Sequence, residues 1–536
     1  SRDCAPTGRE PAQAQFGLDT PPVLGKAMFL LLSCLKPAPP VVDLGPQPPS
    51  SERIVFEAAT DKASPALWVD GVRHELTYKV WAEDGQDIGG TPFGQLVDIE
   101  GKPIEQCNNQ DFAALIQVEG VTFHLSHVEC FPGAIYLTQM DEDMNPVWTR
   151  PVDLSGVRGN ALPCSGDLTP WNTLLSSEEY EPDASKHVPG EGVSDNWQGF
   201  NRMENYFPDG LATVNPYDYG WLPEVTVLDG QGNTSVVKHF AMGRFSHELG
   251  VVAPDGRTVY MSDDGYGVGF YRFVADAEGD LSSGQLFAAR FGDQAVTWVD
   301  LGHASNDEVD LSLAFTDLFE VAGDGCTDIL TQRGPECLTL KPGMELQASR
   351  LETRRYAAML GATTELSKTE GLAVDVERKR LYLTATTVDK GMVKGHAEWD
   401  FEGADHLQFK PNGCGAILAF ELDEQWVAGA YTVPVSGRPM GEVCDPDHIS
   451  GPDNITMLGD LLMIAEDTHD HDPNVLWAWD PDDDSLTPVV YAEGDGAEMA
   501  GIHHYPDVGW FTVTEQHGPR GSHPSKSAVL GPIPDL

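Results

Sequence analysis

The chain has 536 residues, and its 33 basic and 84 acidic side chains give a formal net charge of −51. Such a surface repels polyanions and anionic lipid, which argues against a nucleic-acid-binding protein and against docking to an anionic membrane. Hydrophobic residues make up 41% of the chain, which indicates a folded protein. The 55 Gly and 39 Pro favour many short strands joined by tight turns.

The N-terminal residues 1–50 are rich in proline, most clearly over residues 36–50. This composition predicts an extended arm rather than a domain. The most apolar run, residues 27–35, is much shorter than the ~18 residues that a membrane-spanning helix needs, so we expect no transmembrane segment. From residue 51 to 536 the pattern changes to short apolar runs separated by turns, which predicts one domain.

Nine cysteines are spread along the chain, and eight of them form couples that are close in sequence. Spaced cysteines in a large acidic chain are typical of an exported protein with disulfides, although reduced core thiols would give the same spacing. Disulfides would place the protein outside the cytoplasm, as a secreted, periplasmic or cell-surface protein. Cys164 is left without a near neighbour. The couples are Cys4 with Cys34, Cys107 with Cys130, Cys326 with Cys337, and Cys414 with Cys444.

Four segments share one pattern, in which an acidic residue is followed by a strand, a turn and a second strand. Their starting acids are Glu248, Glu370, Asp453 and Glu498. The spacing from Asp453 to Glu498 matches one propeller blade of about 40–50 residues, and that from Glu370 to Asp453 matches about two. The longer gap after Glu248 leaves room for a helical insertion at about residues 305–362, with helices predicted over 310–319 and 345–360.

In a propeller the innermost strands line a central channel, so the four starting acids would form a ring of carboxylates at one rim. The other interpretation is a generic meander with acids on exposed turns. Grouped carboxylates need a cation or protons, and hard oxygen ligands suit Ca²⁺. A thiolate among them favours a transition metal such as Fe or Zn. Cys164, in a loop before a strand, is a candidate for that ligand or else a buried structural thiol. The His-Asp-His-Asp run at 469–472 is a candidate metal ligand set or a solvated loop.

Several short motifs follow one another along the chain. They are the Cys164 segment with Thr-Pro-Trp and Glu178-Glu179, Gly243 to Glu248, Val259 to Asp264, Leu360 to Gly371, Gly451 to Asn454, Ala465 to Asp467, and Glu498 to Gly518. In this order they resemble the PhoX-type alkaline phosphatases. The resemblance extends over about two-thirds of the chain. It departs from the family pattern around Cys164 and at Lys368, where many members carry Arg.

The resemblance implies an all-β, six-bladed β-propeller with a cluster of two oxo-bridged ferric ions and several Ca²⁺ at one end of the channel. It implies that Cys164, Glu248 and Glu370 are iron-side ligands, and that Asp263 and Asp264 are outlying Ca²⁺ ligands or turn caps. The remaining carboxylates would hold Ca²⁺ or complete the cluster, and these are Glu178, Glu179, Asp453, Glu466 and Glu498. Lys368 would be the catalytic cation that holds a phosphoryl oxygen.

The function expected from these residues is that of an extracytoplasmic, metal-dependent alkaline phosphatase acting on small phosphate monoesters. The alternatives are a non-enzymatic, Ca²⁺-stabilised propeller for binding or surface assembly, and a propeller lactonase. A scaffold that holds only Ca²⁺ would have no use for a thiolate ligand, so Cys164 discriminates between an enzyme and a scaffold. The oligomeric state does not follow from the sequence.

Overall fold

Short antiparallel strands joined by turns make up most of the computed structural model. It describes residues 53–188, 192–193, 197–396, 399, 405–494, 496–516, 523–534 and 536. The predicted arm, residues 1–50, lies outside the described residues, as does the predicted couple of Cys4 and Cys34. All described residues belong to one compact unit, Pro48–Leu536. The domain boundary at residue 50 stays a prediction.

Six antiparallel meanders of four or five strands, here sheets A to F, account for most of the described strands. Their strands, from the innermost outwards, are as follows: A, Gln110–Val118, Val121–Val128, Ala134–Met140 and Pro146–Pro151; B, Asp167–Leu168, Leu174–Leu175, Pro223–Val227 and Thr234–Lys238; C, His247–Val252, Thr258–Asp263, Phe270–Ala277, Asp280–Gly292 and Ala295–Ser305; D, Leu372–Asp375, Arg380–Ala385, Ala416–Leu422 and Ala428–Ser436; E, Pro452–Leu458, Leu461–Glu466, Val475–Asp480 and Ser485–Tyr491; F, Met499–Tyr505, Trp510–Glu515, Lys526–Gly531 and Thr77–Glu83.

The four hairpins predicted from the sequence are the two innermost strands of sheets C, D, E and F. Their turns follow local chemistry. In sheet C, Asp255 accepts hydrogen bonds from the backbone N–H groups of Arg257 and Thr258, at 3.0 and 2.8 Å, and Gly256 takes a left-handed φ of 63°. The predicted hairpins are therefore confirmed.

Apolar clusters lie between successive sheets and join them into a ring. Between sheets A and B, for example, Phe112 and Leu125 share a cluster with Val225, and between F and A, Val529 shares one with Leu115. Burying both faces of each sheet is the main stabilising force available to such short strands.

The ring is closed by strands from the two ends of the described chain. In sheet F, Thr77–Glu83 pairs antiparallel with Lys526–Gly531, so one sheet combines an early strand with a late one. The predicted β-propeller fold is confirmed. The predicted number of six blades stays a prediction, because the bridge between Ala295 and Ala430 joins sheets C and D into one larger sheet.

The region 305–362 contains the predicted helices, but also a small sheet that the sequence did not predict. The helices are Phe315–Leu318, Glu345–Leu351 and Thr353–Met359, and the small sheet pairs Phe319–Val321, Gly334–Leu340 and Thr327–Thr331. None of the helices in the described part of the chain is long and apolar enough to cross a membrane.

The remaining described elements are short. Small sheets pair Ile54–Phe56, Ala66–Val69 and Val72–Glu75; Asp87–Ile88 and Thr91–Pro92; Gln95–Val97 and Pro103–Gln106; His187–Val188 and Gly192–Val193; Tyr266–Val268 and Leu366–Ser367; and Pro439–Met440 and Val443–Cys444. The 3₁₀ turns are Ser155–Val157, Ala184–Lys186, Trp197–Asn205, Gly210–Thr213, Pro216–Asp218, Phe240–Met242, Asn306–Glu308 and Lys390–Met392.

Three of the four predicted cysteine couples are disulfides. Cys107 is bonded to Cys130, Cys326 to Cys337, and Cys414 to Cys444, whereas Cys164 is a free thiol. Cross-links of this kind persist in oxidising compartments.

Candidate metal centre and active site

Six side chains from the starts of the innermost strands point into one end of the ring. In sheets C and E the shift in strand register spans the acidic residue, and in sheet F it follows between Ala500 and His503. Such bulges re-aim side chains. Each sheet supplies one of the six residues. In the order A to F they are Asp111, Cys164, Glu248, Glu370, Asp453 and Glu498.

The ligand atoms of these residues lie close enough to share metal ions. Three overlapping groups have their atoms within 4.8 Å of one another: Asp111, Glu129 and Cys164; Cys164, Glu179 and Glu248; and Glu248, Glu370 and Asp453. The Cys164 thiol donates to Asp111 Oδ2 at 3.1 Å. Five of the eight predicted metal ligands therefore fall into one connected cluster. Glu498 lines the same cavity of about 680 Å³.

Pairs of polar residues follow the second strands of several sheets, and the two members of a pair point in opposite directions. In sheets C, E and F the pairs are Asp263-Asp264, Glu466-Asp467 and Glu515-Gln516. Asp467 and Gln516 line the cavity, whereas Glu466 and Glu515 are bonded to protein donors outside it. Alternation along an extended chain produces this division, since successive side chains leave on opposite faces.

Glu178, the first member of the pair Glu178-Glu179, lies outside the cavity. Its oxygens accept hydrogen bonds from the backbone N–H groups of Ala161, Gly220 and Trp221, at 3.0–3.2 Å. Lys238 forms an ion pair with it at 2.8 Å, and both side chains are almost fully buried. Glu178 therefore holds the wall of the site together, and its predicted role as a ligand stays a prediction.

Glu466 is engaged in the same way. It accepts hydrogen bonds from the backbone N–H groups of Ser450 and Val475, both at 2.8 Å, and from Trp477 Nε1 at 2.7 Å. His471 Nε2 lies 3.5 Å from Glu466 Oε2. The structure brings Asp467 into the cavity in its place.

The cluster carries more negative charge than a buried site can hold without a cation or protons. Burial raises the pKa of Glu248 well above its usual value, and Glu370, Glu179 and Asp453 raise it further. Burial, with the surrounding carboxylates, also raises the pKa of the Cys164 thiol. Both oxygens of Glu248 are buried and have no hydrogen-bond partner among the described residues, although such groups normally have one. This donor set fits metal ions.

A single cation of the described residues faces this cluster closely. Lys368 Nζ lies 2.6 Å from Glu370 Oε1 and 3.8 Å from Asp264 Oδ1, and the side chain is 26% exposed. Burial disfavours its charge, but Asp264 and Glu370 together raise the pKa of Lys368 well above its usual value. Asp264 also accepts a hydrogen bond from the Tyr180 hydroxyl, which lines the cavity. Lys368 thus places a positive charge at the cavity wall, beside Asp264 and Glu370.

Sequence reasoning missed the contribution of sheet A. Asp111 is the second residue of the first strand of this sheet and Glu129 directly follows the second strand, so they repeat the pattern of the four recognised hairpins. Glu129 Oε2 accepts hydrogen bonds from Asn109 Nδ2 at 2.8 Å and Gln516 Nε2 at 2.6 Å. The acids flanking the apolar runs of residues 113–118 and 121–125 were the signal that could have identified them.

The His-Asp-His-Asp run lies at the mouth of the cavity. His469, His471 and Asp472 line it, and His469 and Asp472 are exposed. His469 and Asp472 are thus solvated, whereas the His471 side chain is only 6% exposed and lies beside Glu466. The run borders the candidate site, and both interpretations of it stay predictions.

The fold and the site define a propeller whose channel end holds an acid-rich cluster with one thiol, suited to metal ions. The sequence model of the family described as alkaline phosphatase PhoX matches residues 149–518, more than half of the chain. The chain belongs to the PhoX alkaline phosphatase family and is a phosphoric monoester hydrolase. This confirms the resemblance and decides against the binding scaffold and the lactonase.

One solved structure has a similar fold. Pseudomonas fluorescens PhoX in complex with vanadate, described as a transition state analogue, aligns with a TM-score of 0.60 at 18% identity over 89% of this chain and 98% of that one. More distant are an aldose sugar dehydrogenase from Streptomyces coelicolor (TM-score 0.32, 10% identity, 85% and 98% covered) and a mutant sialidase from Trypanosoma rangeli (TM-score 0.35, 9% identity, 85% and 59% covered). Both TM-scores are too low to indicate a shared function. No curated protein matches the sequence significantly.

Proposed function

We propose that this phosphatase acts outside the cytoplasm on small phosphate monoesters through iron and calcium ions held by the cluster. The observation that carries the proposal is Glu248, whose two unpartnered, buried oxygens lie among the ligand atoms of Cys164, Glu179, Glu370 and Asp453. A carboxylate in this position has no partner within the described protein, and a multivalent cation supplies one.

The chemistry of the donors divides the site. Cys164, Glu248 and Glu370 are assigned to iron, because a thiolate favours a transition metal over Ca²⁺. The oxygen donors Glu179, Asp453 and Glu498 are assigned to Ca²⁺, which takes six to eight oxygen ligands in irregular geometry. Such ions, when bound, neutralise phosphoryl oxygens and act as Lewis acids.

The three disulfides and the net charge of −51 support an extracytoplasmic location. The predicted ligands account for only a small part of that charge, so the rest belongs to the general surface. Screening by salt, over about 8 Å at physiological ionic strength, weakens the resulting self-repulsion. A phosphate monoester, itself an anion, would approach where bound cations and Lys368 reverse the local field.

Lys368 is assigned the role of holding one phosphoryl oxygen in the transition state, where it acts as a point charge rather than as a bidentate fork. Replacing Lys368 by Met is expected to lower kcat by about 10²–10³-fold, the usual cost of removing one stabilising donor. Steady-state kinetics with an aryl phosphate measure this. The matched variant Lys368→Arg keeps the charge and should retain most of the turnover. Equal kcat in the Met variant and the parent protein would contradict the assignment.

Removal and return of metals test the proposed function. The purified protein is expected to contain iron and calcium by elemental analysis, and to lose turnover of an aryl phosphate after exhaustive chelation. Turnover should return with Fe³⁺ and Ca²⁺ together, and not with Ca²⁺ alone, because the thiolate site needs the softer ion. Full activity in metal-free protein, or a protein without iron that becomes active on adding Ca²⁺, would contradict the proposal.

A further inference from the structure

A buried guanidinium connects the insertion of residues 305–362 to two segments that carry site residues. Arg354, in the helix Thr353–Met359, lies between Glu181 and Asp263. Its Nη1 donates to Glu181 Oε1 at 2.8 Å, while Nε and Nη2 donate to the two oxygens of Asp263 at 2.9 and 2.5 Å. All three side chains are at most 7% exposed. The planar fork of Arg suits such a two-sided, bidentate contact.

The first of these segments is Asp263-Asp264-Gly265, at the end of the second strand of sheet C. The Asp264 side chain contacts Lys368 and Tyr180. Its backbone also binds the segment of Lys368, because the Thr369 hydroxyl donates to the Asp263 carbonyl at 2.8 Å and the Lys368 N–H donates to the Gly265 carbonyl at 2.7 Å. A displacement of Asp263 would therefore move both an acid and the cation of the site.

The second segment is Glu179-Tyr180-Glu181. Glu179 belongs to the ligand cluster and Tyr180 lines the cavity. Tyr180 has a φ of 47°, in the left-handed region that non-glycine residues seldom adopt, and its N–H donates to Ser246 Oγ at 2.8 Å. Such a conformation persists where the surroundings impose it. The ion pair of Glu181 with Arg354 is one of those surroundings.

We propose that Arg354 is a positioning residue for the candidate active site. It acts through Asp263 and Glu181 to hold Asp264 with Lys368 on one side of the cluster and Glu179 with Tyr180 on the other. Through Arg354 the insertion helps to position residues of the site, and it is not only a surface addition. This inference rests on the proposed function, since Glu179 is assigned there to the metal cluster.

The neighbouring residue provides a matched control. Arg355 is equally buried and equally paired, with Nη2 donating to Asp183 at 3.1 Å, Nη1 to Glu352 at 2.7 Å and Nε to Glu336 at 2.7 Å. None of these three acids is followed or preceded directly by a residue that lines the cavity. Loss of Arg355 therefore disturbs a buried ion-pair network of similar size without a direct connection to the site.

The test compares Arg354→Gln, Arg354→Lys and Arg355→Gln with the parent protein. Thermal unfolding, the Kd for Ca²⁺ added to metal-free protein, and kcat and KM for an aryl phosphate are measured. Both Gln variants should lower the melting temperature, because each leaves buried acids unpaired. Only Arg354→Gln should lower kcat by about 10²-fold, as a small misplacement of catalytic groups does, and weaken Ca²⁺ binding at least about tenfold. Arg354→Lys should recover part of both, since one ammonium cannot bridge both acids.

Equal effects of Arg354→Gln and Arg355→Gln on kcat and on the Ca²⁺ Kd, measured where both proteins are folded, would overturn the inference and leave a purely structural role. Should Arg354→Gln fail to fold, Glu181→Gln replaces it, because Arg354 then keeps its pairing with Asp263. An unchanged Ca²⁺ Kd in that variant would also overturn the inference. A parent protein that hydrolyses no aryl phosphate would contradict the proposed function alone, since the Ca²⁺ measurement still tests the positioning.

Discussion

Replacing Glu248 by Gln is expected to abolish most phosphatase activity and yet to leave the metal-free protein at least as stable as the parent. Glu248 is fully buried, with two unpartnered oxygens among the described residues, and the neighbouring carboxylates repel its charge. The amide keeps the shape and removes that repulsion, so the free energy of unfolding without metal should not fall. It also removes an anionic ligand, so kcat should fall by at least about 10²–10³-fold.

The measurement combines kinetics with thermal unfolding in the absence and presence of metal. In the parent protein, metal that binds only the folded state raises the melting temperature. In Glu248→Gln the rise produced by iron should largely disappear, whereas Ca²⁺ should still raise the melting temperature through Asp453 and Glu498. A variant with normal metal-induced stabilisation and normal kcat would show that Glu248 is not a ligand.

The control for this variant is Glu178→Gln, which changes another buried carboxylate on the same rim. Glu178 already has four protein donors, including Lys238, so its loss should leave a buried ammonium unpaired and reduce stability by about 3–5 kcal/mol. The metal-induced rise in melting temperature should remain. Loss of the metal-induced rise in melting temperature in Glu178→Gln would indicate that Glu178 is a metal ligand.

Replacing Cys164 by Ser is expected to remove iron from the purified protein and to lower kcat by about 10²-fold or more. Serine differs by one atom, but its hydroxyl is a poor substitute for a thiolate at a transition metal. The oxygen donors of Asp453 and Glu498 are untouched, so Ca²⁺ should still bind and stabilise the variant. Elemental analysis, kinetics and Ca²⁺ titration report these three effects separately.

Ser165→Ala is the matched control, because Ser165 is adjacent in sequence but lines a different cavity from Cys164. Its kcat and iron content should lie within about twofold of the parent, as for a substitution outside the site. If Cys164→Ser kept both iron and full activity, the thiol would be structural and the iron assignment would be wrong.

Local patterns were sufficient to predict the hairpins and the residues that begin them. The strand starts at Glu248, Glu370 and Asp453 could be recognised because each acid directly precedes an apolar run that ends in a turn. The geometry of a propeller then predicts that equivalent strand starts converge. The structure brings these three carboxylates within 4.8 Å of one another, so this part of the site followed from sequence.

Adjacent acids could not be separated in the same way. Sequence reasoning chose Glu178 together with Glu179, and chose Glu466 rather than Asp467. The chain alternates its side chains between two faces, and a single-residue bulge reverses which residue faces the cavity. Register shifts of this kind occur in sheets C, E and F, and no local pattern of the sequence predicts them.

Neighbouring residues along the chain were sufficient to predict a β-rich, acidic fold with hairpins that start in carboxylates, and to identify the cysteines that are close enough in sequence to pair. Which side chains meet at the candidate site could be read only from the tertiary structure. Asp111 and Glu129 join Cys164 because sheets A and B pack against each other, and Arg354 reaches Glu181 and Asp263 because the insertion folds back against sheet C. Contacts between residues far apart in sequence arise from the packing of whole sheets. This packing concentrates a small part of the chain's net charge of −51 in one buried acidic cluster.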